Sequence, residues 1–225
     1  MGKRTAIISV IVLISGLAVL GYFLHQGRKS LLTDPYMAIS PAAGIVIETI
    51  DLQSFINSLT TGKGLFGEAG KIKGFESYNA KIRFLADQLN KSAYKNILDG
   101  SKALISFHVS DKGQLKSLLS LAVKSEVKLR QIKEAFRSSG IKSINETSIS
   151  GNTVLQLPYS INEQKDTVYV SNISGLLLFS SSAKLMKDAI AQTGLGNDVR
   201  NMPGFSRILQ ASGKNEDRIF IVFSN

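Results

Sequence analysis

The residues able to do chemistry are few in this chain, and their spacing excludes more than it nominates. Among 225 residues histidine occurs twice and cysteine never. With no thiol there is no disulfide, cysteine nucleophile, iron–sulfur cluster or cysteine zinc site. His25 adjoins an apolar run, which leaves His108 as the only histidine further along. On an alternating strand His108 shares a face with Ser106 and Ser110, opposite Ala103, Ile105, Phe107 and Val109. It is expected to be an ordinary exposed or half-buried imidazole rather than a catalytic base. No second histidine or aspartate-rich calcium loop accompanies it, so no metal is expected.

Paired carboxylates are the remaining route to hydrolysis, because a glycosidase needs two of them facing each other across the scissile bond. Glu48, Asp51, Asp87, Glu163 and Asp166 are the candidates, and nothing in their spacing singles out a pair. Gly62, Gly64 and Gly67 reproduce the three-glycine dinucleotide pattern, with Asp87 about twenty residues on. That motif needs a strand delivering the glycines to a helix N-terminus, whereas a short helix precedes them here, so a loop and no cofactor are expected. Ser-x-x-Lys occurs at Ser92/Lys95, Ser125/Lys128, Ser139/Lys142 and Ser181/Lys184. Its companions Ser-Asp-Asn and Lys-Thr-Gly are missing, as is Gly-x-Ser-x-Gly. The sequence thus nominates no catalytic, cofactor-binding or metal residue.

The elements that would position these groups follow from periodicity. Residues 44–50 have strand composition, and Asp51 suits the N-cap of a short helix carrying Leu52, Phe55, Ile56 and Leu59. Residues 75–89 place Phe75, Tyr78, Ile82, Leu85 and Leu89 on one helical stripe. Strands are predicted at 102–110 and 115–124, joined by Asp111-Lys112-Gly113. Ser125 is the expected cap of a helix over 126–138 with Leu129, Ile132 and Phe136 inward and Gly140 as its stop. Two hairpins follow, 141–150 turning at Gly151-Asn152 into 153–158, and 166–171 turning through 172–175 into 176–180. Ser182 caps a helix with Leu185, Met186, Ala189 and Ile190 that Gly194 is expected to end, and Pro203 opens another with Phe205, Ile208 and Leu209. The last predicted strand, 218–223, matches the first in pattern and length. Two readings stay open for it: a domain closing its own sheet, or the first part of a longer protein whose next module begins there.

On this basis the fold class is α+β, a mainly antiparallel sheet with packed helices. Strict strand–helix alternation is lacking, which argues against a doubly wound nucleotide fold. The sheet is preceded by residues 5–24, an uncharged apolar run that includes Thr5, Ile8, Val12, Leu17, Leu20 and Leu24. As a helix at ~1.5 Å per residue it would be roughly 30 Å long, the thickness of a bilayer core. It exceeds the apolar core of a signal peptide and lacks a good cleavage site, so an uncleaved anchor is expected. The organisation read from the sequence is therefore an anchor with flanking charges (1–29), a juxtamembrane linker (30–41) and an exported domain (42–225). Lys3 and Arg4 balance Arg28 and Lys29. The short amino-terminal tail then decides orientation, with the N-terminus cytoplasmic and the domain outside.

The formal charge of +10 shrinks once those four flanking residues are set aside, because 23 basic and 17 acidic residues lie beyond and leave +6. Nucleic acid is accordingly not an expected partner. Arg130, Lys133 and Arg137 do share one helix face, a possible contact for anionic lipid or an acidic envelope polymer. The absence of cysteine from an exported domain points to a bacterial envelope.

Pro41 with Ile45-Val46-Ile47-Glu48, Asp51 and Phe55, then residues 182–190 and Pro203-Gly204-Phe205, resembles a family of bacterial envelope proteins classed as a domain of unknown function. The resemblance runs over about residues 36–225 and implies a single-pass inner-membrane protein of Bacteroides-type bacteria with a large periplasmic region. It supplies no catalytic residues. The expected function is a scaffold or binding protein at the membrane, meeting the bilayer and other envelope components. The alternatives are a carboxylate hydrolase or a surface for anionic lipid or polysaccharide.

Overall fold

The computed structural model describes residues 34–61, 84, 102–111, 113–123, 127–161, 164–213 and 216–222. The proposed anchor at residues 5–24, the glycine loop at 62–67, and Asp87, Ser92, Lys95, Ser125 and Glu163 lie outside them. Among the described residues no helix is long and apolar enough to cross a membrane.

The chain enters through a 3-10 turn, Pro35–Ala38, whose first amide is capped by Asp34. Strand β1, Ile45–Thr49, leads into helix α1, Leu52–Thr61. As predicted, Asp51 accepts the Gln53 and Ser54 amides at 3.0 and 3.4 Å. Strands β2, Ala103–Val109, and β3, Leu115–Ala122, form the next hairpin. Helix α2, Leu129–Ser138, follows and is shorter than predicted. It begins at Lys128 because the Gln131 side chain reaches back to accept the Lys128 amide at 2.6 Å, half of a capping box.

Four strands make the next meander: β4 (Asn145–Ile149), β5 (Asn152–Ile161), β6 (Gln164–Ile173) and β7 (Leu176–Ser180). The β4–β5 turn is Ser150-Gly151, one residue earlier than predicted, since both residues have positive φ and Ile149 pairs with Asn152. Ser174-Gly175 turns β6 into β7 in the same way. β5 continues through Pro158 instead of ending there, because β4 pairs only as far as Gln156. Beyond that point one side of β5 is an open edge where a missing amide costs nothing.

Helix α3, Ala183–Leu195, is capped by the Ser182 hydroxyl at 3.3 Å. It passes through Gly194, and the left-handed residue that ends it is Gly196 at φ 64°. A second 3-10 turn, Val199–Asn201, then meets helix α4, Pro203–Ala211, with its proline in the first turn. The final strand, β8, is Arg218–Ile221.

The eight strands among the described residues belong to one sheet in the order β4-β5-β6-β7-β3-β2-β1-β8, and every neighbouring pair is antiparallel. The mainly antiparallel α+β class is therefore present. The similarity of the first and last strands has a structural counterpart, for β8 lies against β1 with Val46 opposite Phe220.

Both faces of the sheet are apolar, and each is covered. On one, Ile47, Ile105, Phe107, Leu121, Leu157 and Phe179 pack with Phe55 of α1 and Ile132 and Phe136 of α2. Phe84, which the predicted stripe omits, joins this layer against Tyr159 with ring centroids 5.3 Å apart. On the other face, Val46, Leu104, Leu118 and Leu178 pack with Tyr36, with Met186 and Ile190 of α3 and with Phe205 of α4. Strand alternation assigns each side chain to its layer, so a slip of one residue would invert both.

Candidate functional site

Glu48 is the one charged residue of β1, and alternation turns it inward beside Val46. Its side chain is 1% exposed. A charge buried this deeply needs partners. Tyr36 donates its hydroxyl to Glu48 Oε2 at 2.7 Å, Arg218 pairs with the same oxygen, and Lys102 pairs with Oε1. Three distant segments are thereby joined: the entry turn, the start of β2 and the start of β8.

A second cluster continues the first. Arg200 pairs with Asp34 and, through Nη2 at 2.6 Å, with the buried Asp198. The Arg200 and Lys102 cations lie 5.3 and 5.4 Å from the Tyr36 ring centroid, within cation–π range. Asp34, Tyr36, Lys102, Arg200, Leu209 and Arg218 together line an open pocket of about 390 Å³.

The electrostatics of this pocket favour holding over reacting. Burial would raise the Glu48 carboxyl, but hydrogen bonds from Lys102 and Tyr36 and the charges of Lys102 and Arg218 outweigh it and keep it below its ordinary value. Burial first, then the hydrogen bond to Glu48 and its charge, push the Tyr36 phenol up. At neutral pH the carboxylate has no proton to give and both its oxygens are occupied. The pocket is a clamp on the entry segment, reinforced by Ser120, which donates to Pro35 O at 3.0 Å, and by Val199, whose amide donates to Ile39 O at 3.0 Å.

Of the other predicted carboxylates, the two among the described residues, Asp51 and Asp166, do not join Glu48. Asp51 is the helix cap described above. Asp166 accepts the Tyr159 hydroxyl at 2.8 Å on β6. β6 lies four strands from β1, roughly 19 Å at ~4.8 Å per strand, and Asp166 faces the opposite layer. That separation exceeds the ~5–9.5 Å of a glycosidase pair.

His108 is half-buried, with Nε2 2.9 Å from Ser106 Oγ. Burial lowers its pKa from 6.5 to about 4, and the charge of Asp188 only partly opposes this. A histidine whose folded pKa lies below its unfolded value gives up stability as pH falls from about 6.5 toward 4. The loss reaches up to about 3 kcal/mol when complete. His108→Gln is expected to flatten the pH dependence of the unfolding midpoint between pH 6.5 and 4.5; an unchanged slope would show that His108 is not its source.

On α2 the three basic residues differ in how far they are engaged. Lys133, 18% exposed, pairs with Glu146 of β4, and Arg130 pairs with Glu134 at 3.5 Å one helical turn on. Arg137 is exposed. Two of the three, Arg130 and Arg137, thus remain on the solvent side of the helix.

An apolar groove was not nominated by the sequence. Met202, Pro203, Phe205 and Ile208 face β8 across a groove of about 420 Å³, with no charged residue among the described residues of its lining. Its floor continues into the clamp, since the Phe205 ring lies 4.8 Å from Phe220 and 6.0 Å from Tyr36. Ile208 and Ile221 are 57% and 62% exposed along it. Ile219 and Ile221 alternate in burial with Phe220, but residues 219–223 are all apolar in sequence and so carried no alternation that could mark an edge strand. No protein-family model matches this chain, and neither does any curated protein or solved structure.

Proposed function

We propose that this protein is a noncatalytic binding or scaffold module of a bacterial envelope, anchored in the inner membrane by residues 5–24 with its α+β domain in the periplasm. The observation that carries the binding reading is the contrast between its two openings. In the charged pocket the acidic groups already bond to cations of the same domain, while the neighbouring groove leaves isoleucines exposed beside a sheet edge that no strand among the described residues pairs. Exposed apolar surface of this kind marks places where proteins meet. The anchor rests on the length and apolarity of residues 5–24 and on the resemblance to single-pass envelope proteins.

Scanning photo-crosslinking in native membranes tests this reading, with probe residues at Ile208, Ile221, Arg130, Thr153 and Leu195 in separate variants. One partner identified reproducibly from adjacent positions is the expected outcome. No adduct from any position, together with hydrolysis of an envelope polymer by the purified chain, would replace the binding module with an enzyme.

A further inference from the structure

We propose that β8 accepts a short, uncharged, extended segment of a partner protein as a ninth strand, with an apolar side chain of that segment seated in the groove beneath α4. This rests on the binding-module reading and names its partner chemistry. The Val222 amide donates to Gly44 O at 2.8 Å, so the amides and carbonyls of Phe220 and Val222 face β1. Alternation then turns those of Ile219 and Ile221 to the outer edge. Among the described residues no strand pairs there, because β8 ends the sheet. Unpaired backbone of this kind is satisfied by an added strand, the basis of β-augmentation.

The edge also lacks the usual protection. Natural sheets guard edge strands with outward charges, prolines or bulges. Arg218 is the only charge in β8, and its side chain is 11% exposed and committed to Glu48. An uncharged lining selects uncharged side chains, since a charge placed there would lose water and find no opposite charge. The size of the site argues for a peptide over a second copy of this chain. Four residues of edge span about 13 Å at ~3.3 Å each, too little for the ~800 Å² per partner of a stable dimer.

Hydrogen exchange on the full chain in detergent micelles tests the proposal, using as probe a peptide of alternating valine and threonine with a lysine at each end for solubility. Exchange over residues 218–222 is expected to slow about tenfold at nine-tenths occupancy. The same peptide N-methylated at every residue between its lysines, so that neither edge can donate, should give no slowing. Ile208→Lys, at an exposed position where folding is preserved, should raise the half-saturating concentration at least ~tenfold. Equal slowing by the N-methylated peptide, slowing elsewhere only, or none up to millimolar probe overturns the proposal. Exchange in β8 that is slow without probe and accelerates on dilution assigns the edge to a second copy, and likewise overturns it. Partner crosslinks from Arg130, Thr153 or Leu195 but never from Ile208 or Ile221 would remove the β8 site and leave the binding module standing.

Discussion

Glu48→Ala is expected to destabilise the domain by about 3–5 kcal/mol, the cost of leaving buried charges without their counterion. The substitution deprives Arg218 and Lys102 of their shared carboxylate and Tyr36 of its acceptor. Tyr36→Phe removes one hydrogen bond and should cost only about 1–1.5 kcal/mol. Replacing Glu48 and Arg218 together by methionine should recover much of the loss, because a buried ion pair is often no better than apolar packing of similar volume. Pulse proteolysis of the full chain across a urea series measures all three. Equal, small effects would mean that water reaches the cluster and that it does not clamp the entry segment.

The same residue carries a pH signature distinct from that of His108. The Glu48 carboxyl titrates below its ordinary 4.5 in the fold. Its contribution is thus complete above about pH 4.5 and is lost as pH falls through the depressed value. His108 acts earlier, from about 6.5 downward.

Placing arginine at both Val12 and Leu17 is expected to release the protein from the membrane. Each charge near the middle of a spanning helix costs about 2.5–3.5 kcal/mol on insertion scales. Two together shift the insertion equilibrium by roughly four decades or more. The clamp and both core layers lie well beyond these positions, so the domain should keep its unfolding midpoint. Carbonate-washed membranes separated by ultracentrifugation give the readout. A double variant that still sediments with the membrane would contradict a helical anchor at residues 5–24.

The local parts of this fold were legible and the distant pairings were not. Hairpins show themselves through turn residues a few positions apart, and Ser182, Asp51 and Pro203 act where their chemistry placed them. Misplacements arose where two signals competed. Ser150 takes φ 50° without being glycine, and Gly194 is tolerated inside α3 because Gly196 two residues later supplies the left-handed cap. Gln131 starts α2 through its side chain, a weaker signal than the upstream serine.

The clamp was half visible, since alternation alone turns Glu48 toward the core and demands a partner. Which partners could not be read, because Tyr36 lies 12 and Arg218 lies 170 residues away in sequence. The pairing of β1 with β8 that brings Arg218 there is fixed by burial of Val46 and Phe220, not by any local motif. The groove followed from the same long-range pairing.

The most direct measurement of the central claim uses the absence of cysteine, which lets a single engineered thiol report its own location. Leu195 is 70% exposed at the end of α3, and Lys3 precedes the apolar run. In cells with a permeabilised outer membrane and an intact inner one, a membrane-impermeant maleimide should label Leu195→Cys in the carbonate-resistant membrane fraction and leave Lys3→Cys unlabelled until lysis. Labelling of Lys3→Cys before lysis, or Leu195→Cys protected until lysis, would contradict an anchored periplasmic domain.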